Sequence, residues 1–204
     1  MSEKRFIDEP VEVREITNDK GTNSYIVGRG IVFNKWSQVL TAERPDGTRF
    51  QFIEKIEPRA MDGVDLSNVV SMVNHKLTLG KRSKGTMDVE IKEDGVYYTT
   101  LIPNTTVGQD ARENIKNGNL EGSSFQFNLP KGGDSWDKSK TPYLRTIHKF
   151  SEVREMGPVE YPAYIDTTAA MRSFDETEVI ETRETDFENL NLKINIFKTI
   201  NKIK

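Results

Sequence analysis

The sequence contains no cysteine, which removes disulfides, thiolate nucleophiles and cysteine-based metal sites at once and fits a reducing compartment. Only two histidines are present, His75 and His148, and no HExxH pattern surrounds them, so no zinc site is expected. No stretch approaches the roughly 18 apolar residues of a membrane span. The opening MSEKRFIDEP is charged where a signal peptide needs an apolar core. A net charge of −3 supplies no basic field for nucleic acid, and no basic stripe is visible. The expectation is a soluble, intracellular protein without a nucleic-acid or membrane partner, and without cofactor or metal.

What the chain does contain is enough for a core. Its 204 residues are 35% hydrophobic and 30% charged, polar for a globular protein but outside the disordered range. Alternation marks strands at VEVREI, SYIVGRGIVF and FQFIEKI, the second with Gly28 and Gly30 allowing a bulge or a close backbone approach. NVVSMVNH (68–75) fits either a short helix capped by Asp65 or Ser67, or a strand. TMDVEIKEDGVYYTTLIP reads as a hairpin turning at Glu-Asp-Gly. NTTVGQDARENIKN (104–117) predicts a helix stopped by Gly118. Beyond it come GNLEGSSFQFN, a Gly/Asp/Ser/Lys-rich loop over 130–142 and a strand-like YLRTIHKFSEV. Six or seven strands with few helices predict a mainly β (α+β) fold, a barrel or sandwich with added helices.

The end of the chain differs in kind. Residues 174–189 carry seven acids against one arginine, and 190–204 carry four lysines and no acid. This division predicts a domain over 1–172 and a charged appendage over 173–204, for interaction or self-processing; a solvated helix folding back is the plainer alternative.

Chemistry must come from the remaining polar side chains. A histidine with its ordinary pKa near 6.5 can take and return a proton at neutral pH, so His75 and His148 are natural candidates. Each taken alone reads as an ordinary structural or surface residue. Ser124 follows a glycine and Ser123 at the mouth of a strand, where serine usually serves a turn. The Gly-x-Ser-x-Gly elbow is not matched, because residue 126 is glutamine. A serine leading a rigid Phe-x-Phe strand is nonetheless well held. Local pattern chooses no reaction.

Five segments in order carry a resemblance: GRGIVFNKWS (28–37), IEKIEPRAM (53–61), VNHKLTLGKRSKGTMDVEIKEDGVYY (73–98), IPNTTVGQDARENIKNGNLEGSSFQFN (102–128) and REMGPVEYPAYIDTTAAMR (154–172). Together they resemble the caudovirus prohead serine proteases, the capsid-maturation proteases of tailed phages. The resemblance implies a fold similar to herpesvirus assemblins, a β-barrel surrounded by helices. It aligns Gly-x-Ser-Phe-x-Phe with 122–127, which implies Ser124 as nucleophile and leaves Ser123 at a variable position. The Asn-His motif implies His75 as general base. Glu155 aligns with the glutamate of a Glu-Val-Ser segment and is implied as the third member. His148 is its rival, since assemblins use a second histidine, and Glu152 follows at a distance. On one uninterrupted strand the odd separation of 148 and 155 would set them on opposite faces.

This chain departs from the family pattern in reading Glu155-Met156-Gly157 for Glu-Val-Ser, with the preceding strand about one residue longer. Oxyanion donors are expected among backbone N–H groups, or from Arg154 or Arg172, with Arg154 also readable as a plain surface charge. The implied function is a serine endopeptidase inside an assembling procapsid in the host bacterial cytoplasm. Its substrates would be the scaffold protein, the N-terminal part of the major capsid protein, and itself; homo-oligomerisation stays open. The competing readings are a catalytically inactive protease-like barrel that binds capsid or scaffold, and a small β-barrel binding module.

Overall fold

The computed structural model describes residues 2–19, 21–44, 46–160 and 174–175. In chain order its strands are β1 (Ser2–Ile7), β2 (Glu12–Asn18), β3 (Gly21–Val32), β4 (Leu40–Glu43), β5 (Arg49–Ile56), β6 (Val70–Val73), β7 (Leu77–Lys81), β8 (Met87–Lys92) and β9 (Gly95–Leu101). The helix α1 (Thr106–Lys116) follows, then β10 (Gly122–Asn128), β11 (Asp134–Asp137), β12 (Tyr143–Ile147) and β13 (Glu152–Val159). They form a five-stranded sheet β1-β10-β13-β6-β7 and two four-stranded sheets, β2-β3-β9-β8 and β11-β12-β5-β4.

Mainly β is therefore the architecture. The described residues contain one α-helix and no closed barrel, whereas the resemblance implied a barrel ringed by helices. The strands exceed six or seven because several are too short or too polar to show alternation. β4, β6 and β11 span four residues each. The ambiguous 68–75 stretch resolves to strand β6, and Asp65 caps only a local turn, accepting the Ser67 N–H at 2.8 Å.

Other elements form where local chemistry dictates. Thr105 caps α1, its Oγ1 accepting the Gly108 N–H at 3.2 Å, and Gly118 takes the left-handed conformation just past the end at φ 73°. The β8–β9 hairpin closes at Lys92 opposite Gly95, around Glu93-Asp94. On β3 the register shifts between Arg29 and Ile31, the bulge that Gly30 permits.

The main core lies on the inner face of β10. Ser123, Phe125 and Phe127 share that face, and Phe125 and Phe127 stack at 5.1 Å with Phe150 edge-on to both. Each fully buried phenylalanine contributes about 1.5–3 kcal/mol through its area, so β10 is firmly seated. A second cluster gathers Phe50, Phe52, Trp136, Leu40 and Ala42 with Phe174, which stacks on Phe50 at 4.5 Å. The rest of the expected 173–204 appendage, apart from Asp175, lies outside the described residues.

Candidate active site

Period-two alternation separates the adjacent serines. Ser123 points inward with the phenylalanines, and its Oγ lies 3.0 Å from the Tyr98 hydroxyl. Burial pushes the Tyr98 phenol up, against the opposing effect of its hydrogen bond with Ser123, so it stays neutral. Gly28 makes room for this pair: a Cβ there would stand 2.6 Å from the Tyr98 hydroxyl and 2.7 Å from Ser123 Oγ. Ser124 faces the other way, is 4% exposed, and sits on the face shared with Gln126.

His75 reaches Ser124 from the turn between β6 and β7. Asn74 and His75 both have positive φ, 50° and 58°, and the Lys76 N–H donates to Val73 O at 3.0 Å. A two-residue turn with both central residues left-handed suits a hairpin, but a histidine is strained there. Asn74 secures it: its Nδ2 donates to Glu160 Oε1 at 3.1 Å, its Oδ1 accepts the Glu160 N–H at 3.0 Å, and its own N–H donates to Pro158 O at 3.1 Å. The turn is thereby tied to the end of β13. His75 Nε2 lies 2.7 Å from Ser124 Oγ.

Glu155 completes the contact chain from β13. Its Oε1 makes a hydrogen bond with His75 Nδ1. β13 lies between β10 and β6, pairing Glu155 with Gln126 on one side and with Val70 on the other, so the carboxylate falls on Ser124's face. The β10–β13 register shifts between Gln126 and Phe127: Glu155 pairs with Gln126 and Val153 with Phe127, which leaves Arg154 as the extra residue. Gly157 pairs with Ser124 and passes so close to β6 that a Cβ would come within 2.0 Å of Met72 O. The glycine thus lets β6, and with it His75, approach.

The remaining candidates lie elsewhere. β12 ends at Ile147 and β13 begins at Glu152, in different sheets, so the uninterrupted strand expected over 143–153 is corrected and the parity argument linking 148 to 155 does not apply. His148 bonds Ser135 Oγ through Nε2 at 2.7 Å, with Glu57 Oε2 at 3.0 Å and Arg59 Nη2 at 3.1 Å from Nδ1; it does not meet His75. Glu152 is exposed and accepts from Arg154 Nε at 2.8 Å and from Asn128, so neither Glu152 nor the Arg154 side chain lies at Ser124. Arg172 falls outside the described residues. Among the described residues no group of three or more His, Asp or Glu side chains is placed to hold a metal.

A buried ionic network behind β10 escapes sequence reasoning. Arg145, fully buried, donates to Asp134 at 2.6 Å, to both oxygens of Glu3 at 2.7 and 2.8 Å, and to Glu54 at 3.2 Å. Arg5 donates to Glu54 at 2.5 and 2.9 Å and to Glu3 at 2.5 Å. Burial pushes the Glu3 carboxyl up, but the charges of Arg145 and Arg5 outweigh it and hold it at about 2. The same carboxylates raise Arg5 and Arg145 against their own desolvation. The only trace in the sequence is the alternation Glu3-Lys4-Arg5, which resembles a solvated tail. On the backbone side, the Arg5 carbonyl accepts from Ser124 Oγ at 2.8 Å.

No curated protein and no solved structure gives a significant match to the chain. The model of one family does, over residues 9–180, spanning the Ser124, His75 and Glu155 positions and described as caudovirus prohead serine protease. The chain belongs to the caudovirus prohead serine protease family.

Proposed function

We propose that the protein is a serine endopeptidase in which Ser124 is the nucleophile, His75 the general base and Glu155 the group that orients His75. The observation that carries this reading is the contact chain from Ser124 Oγ through both nitrogens of His75 to the buried Glu155 carboxylate. With Nδ1–H held by Glu155, Nε2 of the neutral ring has a lone pair facing Ser124. The serine proton passes to Nε2 as Oγ bonds to the peptide carbonyl carbon. The imidazolium then gives that proton to the departing amine as the C–N bond breaks. Water, deprotonated by the same nitrogen, releases the acyl group and returns the proton to Ser124. Oxyanion stabilisation falls to backbone N–H groups or to Arg172, since the Arg154 side chain is bonded to Glu152.

Within the family's setting, the enzyme acts in the procapsid in the host cell on scaffold protein, on the N-terminal part of the major capsid protein and on its own chain. Ser124→Ala tests the reading. Assembly should proceed while scaffold and capsid precursor stay uncut. Unchanged cleavage would overturn the assignment of Ser124, and a wild-type chain that supports assembly without any cleavage would favour the inactive assembly protein.

A further inference from the structure

We propose that the position held by β1 is the substrate-strand site of this protease, and that Glu54 and Arg145 select an acidic-x-basic triplet there, with the cut after the basic residue. The proposal rests on the serine-protease reading and adds its peptide class. β1 is the edge strand beside β10, pairing antiparallel with Phe6 opposite Ser124 and Arg5 opposite Phe125. A peptide in this position would be held by strand addition. The Arg5 carbonyl oxygen is 2.8 Å from Ser124 Oγ, which, with a C=O bond of about 1.23 Å, puts the carbonyl carbon within about 4 Å of the nucleophile.

Alternation sends the Arg5 side chain to the face opposite Ser124, leaving the approach of Oγ clear. On that inner face Arg5 meets Glu54 at 2.5 and 2.9 Å, while Glu3, two residues earlier, meets Arg145 at 2.7 and 2.8 Å. Without β1 the seat retains Arg145, Glu54 and Asp134, one positive and two negative charges. A basic side chain at the fifth position and an acidic one at the third restore every pairing. A neutral residue at the fifth place leaves Glu54 and Asp134 with Arg145 as the one cation of the seat, and a neutral residue at the third removes the acceptor of Arg145 Nη2. A cavity of about 250 Å³, lined by Phe6, Ile7, Val32, Trp36 and Leu40 and reaching Glu54, runs along the seat. β1 precedes the residues matched by the family.

The resident strand is a competitor in a non-reacting hydrogen bond. Ser124 has one proton; while Arg5 O accepts it, His75 Nε2 does not. Attack on a carbonyl in the seat begins when that proton turns to His75 Nε2, and cleavage of another segment of the same pattern requires β1 to yield the seat. Glu181-Thr182-Arg183, around the lone arginine of the C-terminal appendage, has that pattern.

The test is a cleavage profile. Wild-type chain and Arg5→Ala, whose own strand fills the seat less well, are incubated with urea-denatured casein and with the peptide SEKRFID, and the more active of the two is profiled by mass spectrometry. Cuts after Arg or Lys with Asp or Glu two residues before are expected, together with a loss on the order of a hundredfold in kcat/KM when the peptide arginine becomes alanine. Ser124-dependent cutting without that bias overturns the substrate-strand proposal and leaves the protease reading standing. Absence of Ser124-dependent cutting by both chains overturns the protease reading, and the proposal with it.

Discussion

Replacing Glu155 with glutamine keeps the side chain's shape and removes one charge from behind His75. The native carboxylate, buried on β13, holds the Nδ1 side of the ring and leaves Nε2 2.7 Å from Ser124 Oγ. A glutamine can present either its oxygen or its NH2 to Nδ1. With the oxygen inward the tautomer survives, and a charged acceptor is exchanged for a neutral one. That difference is about 1–2 kcal/mol, roughly 5- to 30-fold in kcat. With the NH2 inward the ring proton moves to Nε2, which then meets the serine as a donor. The loss then approaches the ~10⁴-fold found when the same exchange is made in a Ser-His-Asp site. The assay is kcat and KM on an unfolded protein substrate, with urea unfolding to check the fold. The fall should appear in kcat, since Glu155 acts through His75. A variant folded like its parent and within about threefold of its kcat would refute the role given to Glu155.

Two further perturbations test the scaffold of the site. Gly157→Ser would put a Cβ within 2.0 Å of Met72 O. Because the obstacle is backbone, about 1–3 kcal/mol of destabilisation is expected, seen as a lower thermal midpoint, with kcat reduced as β6 and His75 are pushed from β13; an unchanged midpoint would contradict the close approach. Glu3 is held at about 2 against an ordinary 4.5, so the folded state favours its carboxylate. Its contribution, about 3 kcal/mol, is present above pH 4.5 and is lost as pH falls toward 2. Glu3→Gln should flatten the urea midpoint across that window, and parallel slopes for the two proteins would refute the burial argument.

Legibility in the sequence followed the strength of local rules. The α1 cap, the Glu93-Asp94 turn and the bulge at Gly30 are written in neighbouring residues, and each was readable. β1 was not, because its inward residues are Glu3 and Arg5, whose partners Arg145 and Glu54 are distant in the chain. The 130–142 loop concealed β11, where only Trp136 turns inward among polar neighbours. At the site, alternation along 122–128 is enough to split Ser123 from Ser124. The positions of His75 and Glu155 depend on β6–β13 pairing and a bulge at Arg154, which no local pattern encodes. The family likeness supplied the pairing of Ser124 with Asn74-His75, and the structure brings them within hydrogen-bond reach.

The face assignment also limits how the site can fail. Ser123 is the next residue to Ser124, yet it cannot serve in its place, because a strand that presents residue 124 to His75 must present residue 123 to Tyr98. Exchanging them would require a one-residue slip of β10, which would turn Phe125 and Phe127 out of the core and break their contacts with Phe150. Each of those rings contributes about 1.5–3 kcal/mol by burial alone, comparable to or larger than the hydrogen bond that Ser124 makes. The packing of the inner face, more than the hydrogen bonds of the outer one, therefore determines which serine faces the histidine.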